Sequence, residues 1–273
     1  MSRRRMRVLG VSAIAALAVT AVAAIPASAP AVPVITMSGS TSVAPLASLL
    51  ARQYNKSFPN RAKFRLAQGG SDVGVADVAA GRVSIGNSSR DKKSSDDASL
   101  VFNRIAKDAI CIVTNPRNGV GNLSQSQIQD IFSGKVRNWS QISGAKASGS
   151  INLVVRTAAS GTQDAFQKIF MGSSSVAGAA SATASNGLVQ QTVASDPNAV
   201  GYVSLDFVKG TSPAAYNGVA CNLRNAKSGQ YGGVRNFWMV TRGAPAGATK
   251  AFLGYVKSAA GQRIVASDWV PIR

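Results

Sequence analysis

The segment Arg156-Thr-Ala-Ala-Ser-Gly-Thr162 stands directly before the amphipathic run Gln163 to Phe170, and its residue types suit the capture of an oxyanion. A Ser-Gly-Thr turn that opens a helix offers two hydroxyls and a glycine that lets the backbone approach closely. It also offers the unpaired N–H groups of the first turn, at the positive end of the helix dipole. Arg156 adds a planar fork able to donate to two oxygens at once. A second loop of this kind, Ser38-Gly-Ser-Thr-Ser-Val43, follows the β-like run Val32 to Met37 and precedes the helical pattern Val43 to Tyr54. Two such loops can converge on one small anion. In each, the same serines and threonines also suit helix N-capping, a role compatible with holding a ligand.

Alternation indicates what positions these loops. Short β-like runs (33–37, 62–67, 83–86, 109–114, 151–155, 201–204, 237–241) interleave with helical patterns (43–58, 74–80, 124–132, 162–170, 185–194, 248–258), an order that predicts an α/β fold with parallel strands. In the first helix Val43, Leu46, Leu50 and Tyr54 share a face. The Ser/Ala/Gly-rich stretch Gly172 to Ser185 reads as a surface loop. Trp139, Trp238 and Trp269 read as core or hinge packing.

Export is expected from the N-terminus, where Arg3, Arg4, Arg5 and Arg7 precede an apolar stretch from Val8 to Ile25 and small residues at Ala27 and Ala29. Residues 1–29 therefore read as a secretory signal peptide; the alternative is an uncleaved membrane anchor, against which the alanine richness and the small residues favour cleavage, and Ser2-Arg3-Arg4 leaves a twin-arginine route open. Cys111 and Cys221 leave two readings: one disulfide in an exported chain, or two buried thiols, since Cys111 sits in the apolar run Ala109 to Val113.

Thirty basic residues against eleven acids give a formal charge of +19, or about +15 without the signal arginines. Such a field speeds the arrival of anions and also favours loose association with nucleic acid, acidic wall polymers or anionic lipids. All eleven acids are aspartates, and the chain has no histidine. That composition removes most metal sites and most general acid/base chemistry, so an exported phosphatase or other hydrolase is disfavoured and no catalytic residue, metal or cofactor is assigned.

Five stretches, Gly39 to Pro45, Gln68 to Gly74, Val83 to Arg90, Ile131 to Trp139 and Arg156 to Thr162, occur in the order and spacing of one family. The chain resembles the phosphate-binding proteins of ABC phosphate transporters, of the type II periplasmic-binding-protein-like group. The resemblance implies two α/β lobes joined by two crossover strands, with the ligand in the cleft between them. Lobe one would hold 34–112 and 236–273, and lobe two 113–235. The outward crossing would fall near Cys111 to Asn115 and the return near Arg235 to Thr241. The family is commonly tethered by a lipid on a cysteine after the signal peptide. No cysteine precedes Cys111, so a secreted or periplasmic, untethered monomer is expected, working with an ABC permease.

Carried over residue by residue, the resemblance assigns phosphate binding to Thr41, Ser42, Ser71, Ser89, Arg156, Ser160, Gly161 and Thr162, with Arg90 adding charge at the cleft edge. Two departures stand out. Ser89 and Ala158 occupy positions where well-studied members carry acids, and the first of those acids accepts the proton that tells phosphate from sulfate. Asp72, beside Ser71, is the expected replacement acceptor. Two function classes follow: a phosphate receptor for an ABC importer, or an exported binding or adhesion protein of the same fold for another oxyanion, DNA or wall polymer.

Overall fold

Parallel strands at both ends of one mixed sheet, joined by two long antiparallel strands in its middle, organise the computed structural model, which describes residues 31–272. The signal segment expected over residues 1–29 lies outside the described residues. The strands are β1 (Val34–Gly39), β2 (Lys63–Leu66), β3 (Ile85–Ser88), β4 (Leu100–Thr114), β5 (Asn122–Leu123), β6 (Asn152–Arg156), β7 (Ser181–Thr183), β8 (Ala199–Ser204), β9 (Ser212–Pro213), β10 (Ala215–Tyr216) and β11 (Val234–Arg242). The helices are α1 (Ala44–Ser57), α2 (Ser71–Ala79), α3 (Gln125–Phe132), α4 (Gly161–Phe166), α5 (Asn186–Ser195), α6 (Leu223–Ser228), α7 (Gly247–Lys257) and α8 (Ala259–Asp268). A π-helical turn, Gln167–Met171, extends α4.

The sheet runs β2-β1-β3-β11-β4-β8-β6-β7, with β9 on the end of β4 and a separate β5–β10 pair. β1 is parallel to β2 and β3, and β6 is parallel to β7 and β8. Between these halves, β4 pairs with β11 from Leu100 to Ala109 and then with β8 from Ile110 to Thr114. β4 is thus the strand that both halves share. The stretch read as a loop over Gly172 to Ser185 contains the edge strand β7, which lies parallel to β6.

Two large hydrophobic cores result, beside a small third cluster of Val75, Val78, Leu100 and Val240. One packs Ile35, Met37, Leu46, Leu50, Phe237, Phe252 and Val265; the other packs Ile110, Val113, Phe132, Trp139, Phe166, Val200 and Tyr202. In α1 a proline in the first turn suits the missing N–H there, and Leu46, Leu50 and Tyr54 form the buried stripe. Tyr54 meets Phe64 and Phe252 edge-on with ring centroids 5.9 and 5.5 Å apart. Burying one such side chain contributes roughly 1.5–3 kcal/mol. Ala109 to Ile112, placed in lobe one from the sequence, pack into the second core because β4 has by then turned to β8.

Cys111 and Cys221 form a disulfide with Cα atoms 5.6 Å apart and 110 residues of separation. Closing so long a loop removes much of the unfolded chain's freedom. Replacing both cysteines by serine is expected to cost about 2–5 kcal/mol. Urea unfolding of the purified chain reads this, and an unchanged midpoint would refute it.

Candidate functional site

Three of the four loops that carry candidate side chains lie where the chain turns into a helix, and the fourth, with Ser89 and Arg90, runs from β3 to β4. Gly39 ends β1 with φ 124°, and a Cβ there would lie 2.9 Å from the Gly74 Cα and collide with the Asn87 carbonyl. Only glycine lets β1, β3 and α2 come this close. Ser40 then caps the turn that leads into α1, its Oγ accepting from the N–H groups of Ser42 (3.2 Å) and Val43 (3.4 Å) and donating to Ser89 Oγ (2.9 Å). With Ser40 doing the capping, the hydroxyls of Thr41 and Ser42 are left to reach across the cleft. Ser160 does the same for α4, accepting from the N–H groups of Thr162 (3.1 Å) and Gln163 (3.4 Å).

The two halves of the sheet meet through these loops. Ser42 Oγ and Thr162 Oγ1 share a hydrogen bond of 3.0 Å. Ser71 Oγ accepts from the Ser89 N–H at 2.9 Å and lies 3.3 Å from Ser89 Oγ. Gly161 fits against this pair: a Cβ on it would lie 2.8 Å from both Ser89 Oγ and the Arg90 nitrogen and would collide with Ser71 Oγ. The Asp72 N–H donates to the Ala159 carbonyl at 3.0 Å. Beside Thr41 an opening of about 260 Å³ leads outward past Gln68, Ser185 and Phe207.

Arg156, at the end of β6, is buried. Its N–H donates to the Tyr202 hydroxyl, which in turn donates to Gln163. The guanidinium donates to Thr41 Oγ1 (3.2 Å), Thr162 Oγ1 (3.5 Å) and the carbonyls of Thr183 (3.3 Å) and Ala184 (2.9 Å). Burial pushes its pKa down to about 10, which leaves it cationic at neutral pH. With Ala158 two residues on, its bonds go to neutral oxygens. A cluster of hydroxyls, helix N-termini and one such cation is suited to a small oxyanion.

Two assignments are corrected. Arg90 turns away from the cluster: Nε donates to Asp72 (2.5 Å), both Nη atoms to Asp96 (2.8 Å each), and Nη1 also to the Asp91 carbonyl (2.9 Å). Its side-chain charge is neutralised by acids instead of adding to the site. Burial raises the Asp96 carboxyl, but the bonds from Arg90 and the Lys93 N–H outweigh it and hold the pKa below its ordinary value. Asp72 is the second residue of α2, and its carboxylate lies against Arg90 and the Lys93 ammonium (3.3 Å), outside the hydroxyl cluster. An aspartate in a Gly/Ser loop says nothing of which way its helix will face.

Three polar residues of the cluster escaped sequence reading. Asn186 opens α5 and donates to Thr41 Oγ1 (3.1 Å) and Ser42 Oγ (2.8 Å). Arg235 on β11 donates to Thr162 Oγ1 (2.8 Å) and Ser42 Oγ (2.9 Å), and its charge meets Asp108 on β4 at 2.9 Å. The alternation that carries Phe237 and Met239 inward carries Arg235 inward too, and that parity was the available signal.

Residues 24–260 match the model of the PBP superfamily domain. The phosphate-binding protein PstS of Bacillus subtilis is 30% identical over 245 residues, covering 87% of this chain and 80% of that protein. Its counterpart in Borreliella burgdorferi is 25% identical, over 85% and 87%. Among solved structures, a Clostridium perfringens protein with bound phosphate superposes with a TM-score of 0.83 at 30% identity, over 88% of this chain and 100% of that one. An ABC-type phosphate transport receptor from Vibrio cholerae gives 0.70 at 29%, over 86% and 99%.

Proposed function

This chain belongs to the PBP superfamily domain family, and on that footing we propose that it is a solute-binding protein that captures inorganic phosphate between two lobes and delivers it to an ABC importer. The observation that carries the reading is the convergence of Thr41, Ser42, Ser71, Ser89, Arg156 and the Ser160 to Thr162 turn from both sheet halves onto one buried cluster. Hydroxyls and loop N–H groups donate to the phosphate oxygens, Arg156 supplies the fixed charge, and Gly161 provides the close approach. The lobes divide on β4 between Ala106 and Ala109 and on the return between Val234 and Phe237, where the two cores separate. Closure about these strands buries the anion and presents the occupied form to the permease.

The protein is a receptor and not an enzyme, as its relatives are binding proteins. Among the described residues no helix is long and apolar enough to cross a membrane. The basic, apolar N-terminal segment supports export, with the receptor acting outside the cytoplasm. Retention by DNA or a wall polymer as its main role is not favoured, because the relatives named above are phosphate-binding proteins.

Calorimetric titration of the phosphate-stripped mature chain tests the reading: one-to-one phosphate binding is expected, and no heat would overturn it. The same titration decides the role of Asp72. Since its carboxylate is held by Arg90 and Lys93, Asp72→Asn is expected to leave the ratio of phosphate to sulfate affinity within about twofold of wild type; a shift of about tenfold, ~1.4 kcal/mol, would return that carboxylate to the site.

A further inference from the structure

Resting on the phosphate reading, we propose that Arg235 is itself a ligand-binding residue, a second guanidinium presented from the hinge, and that Asp108 is its positioning residue. The pair sits directly opposite in the register of β4 and β11, the two strands that pass between the lobes. Both side chains are buried. Arg235 spends one edge of its fork on Asp108, with Nε and Nη2 at 3.2 and 2.9 Å from Oδ2. The Ser204 hydroxyl donates to the same oxygen at 2.7 Å and fixes the carboxylate from the far side.

The other edge is what distinguishes Arg235 from a plain hinge ion pair. Nη2 reaches Ser42 Oγ on one lobe and Nη1 reaches Thr162 Oγ1 on the other, two hydroxyls that also bond each other. Arg156 approaches Thr162 Oγ1 from a second direction. Two guanidinium groups therefore converge on one neutral oxygen, an arrangement that repels itself unless an anion shares it. Burial first, and then the charge of Arg235, act to lower the Arg156 pKa.

Asp108 plays two parts in this arrangement. It leaves the three groups together with a single net positive charge, and it fixes the plane of the fork so that its free donors point at the cluster. Burial pushes the Asp108 carboxyl up and the Arg235 guanidinium down, and each opposes the shift of the other. Because the hydroxyls that Arg235 bridges belong to different lobes, its bonds to a phosphate form only with the lobes together. Capture and closure are thereby coupled at the hinge.

The test is calorimetric titration of the full mature chain with inorganic phosphate, alongside melting temperatures without phosphate. Removing Arg235 alone would strand a buried carboxylate, so the informative variant is Arg235→Gln with Asp108→Asn, which removes both charges and leaves polar side chains in their place. It is expected to melt near the wild type and to bind phosphate about fifty-fold more weakly. Asp108→Asn alone leaves a buried guanidinium without its carboxylate, so it is expected to melt lower without phosphate; in the molecules that remain folded the unfixed fork is expected to bind phosphate about tenfold more weakly, a change that a purely structural role would not give. If the double variant fails to fold, Arg235→Lys decides: the charge remains but the fork is lost, and an affinity about tenfold weaker is expected. Phosphate affinity within about twofold of wild type in the folded double variant, or in Arg235→Lys, would overturn the proposal alone. Absence of phosphate binding by the wild type would overturn the phosphate reading and this proposal with it.

Discussion

Arg156→Ala is expected to abolish measurable phosphate binding at concentrations that saturate the wild type. The guanidinium is the cation of the cluster whose bonds run to neutral oxygens, so its attraction is directed at the ligand and not shared with an acid. A hydrogen bond to a charged group contributes about 1.5–3 kcal/mol, and losing two costs about two to four orders of magnitude in affinity. Stability should respond differently. Alanine strands no buried carboxylate, so melting without phosphate should stay within a few degrees of wild type while the phosphate-induced rise disappears. A variant that still melts higher with phosphate would remove Arg156 from the ligand set.

Gly161→Ala acts by geometry alone. The added methyl would lie 2.8 Å from the Arg90 nitrogen and from Ser89 Oγ, well inside van der Waals contact, and the Arg90 backbone cannot step aside. On the proposed lobe division residue 161 and residues 71–90 fall on different lobes, so the methyl would hold the lobes apart by roughly half an ångström to an ångström. That is enough to break bonds such as Ser42 to Thr162, already at 3.0 Å. We expect phosphate affinity to fall about a hundredfold, about 2.7 kcal/mol, with each lobe still folded. Gly178→Ala, where a Cβ meets nothing within 4 Å, is the matched control. Wild-type affinity in Gly161→Ala would show that closure is looser than this contact implies.

Much of this site was legible because local chemistry announced it. Ser/Gly/Thr turns before helical patterns declare capped turns that converge on one cluster, and alternation placed β1, β6 and the return strand close to where they fall. What escaped depends on distance in sequence. The strand read from Ala109 extends back to Leu100, and Asn103, Arg104, Lys107 and Asp108 hid that half by breaking its apolar run. Those polar groups are satisfied only in the folded chain: Lys257 donates to Asn103 at 2.8 Å, and Asp108 meets an arginine 127 residues away. The last helix, α8, was also missed. A single residue, Ser258, both ends α7 and caps α8, so the sequence offers no gap between them.

The disulfide lies beside the crossing. Cys111 follows the point where β4 changes partner, and Cys221 precedes the segment that feeds β11. The same segment is tied to β4 again by the Tyr231 hydroxyl donating to the Ile110 carbonyl (2.7 Å) and by the Ile110 N–H donating to the Gly233 carbonyl (2.8 Å). In mechanical terms this is a fulcrum riveted on one side. On the proposed lobe division the lobe-two ends of both crossing strands would move as one body, leaving the few residues between the two cores to bend and removing sideways slack from the swing. Oxidation on arrival outside the reducing cytoplasm would then do more than stabilise the chain: it would true the bearing on which the jaws turn.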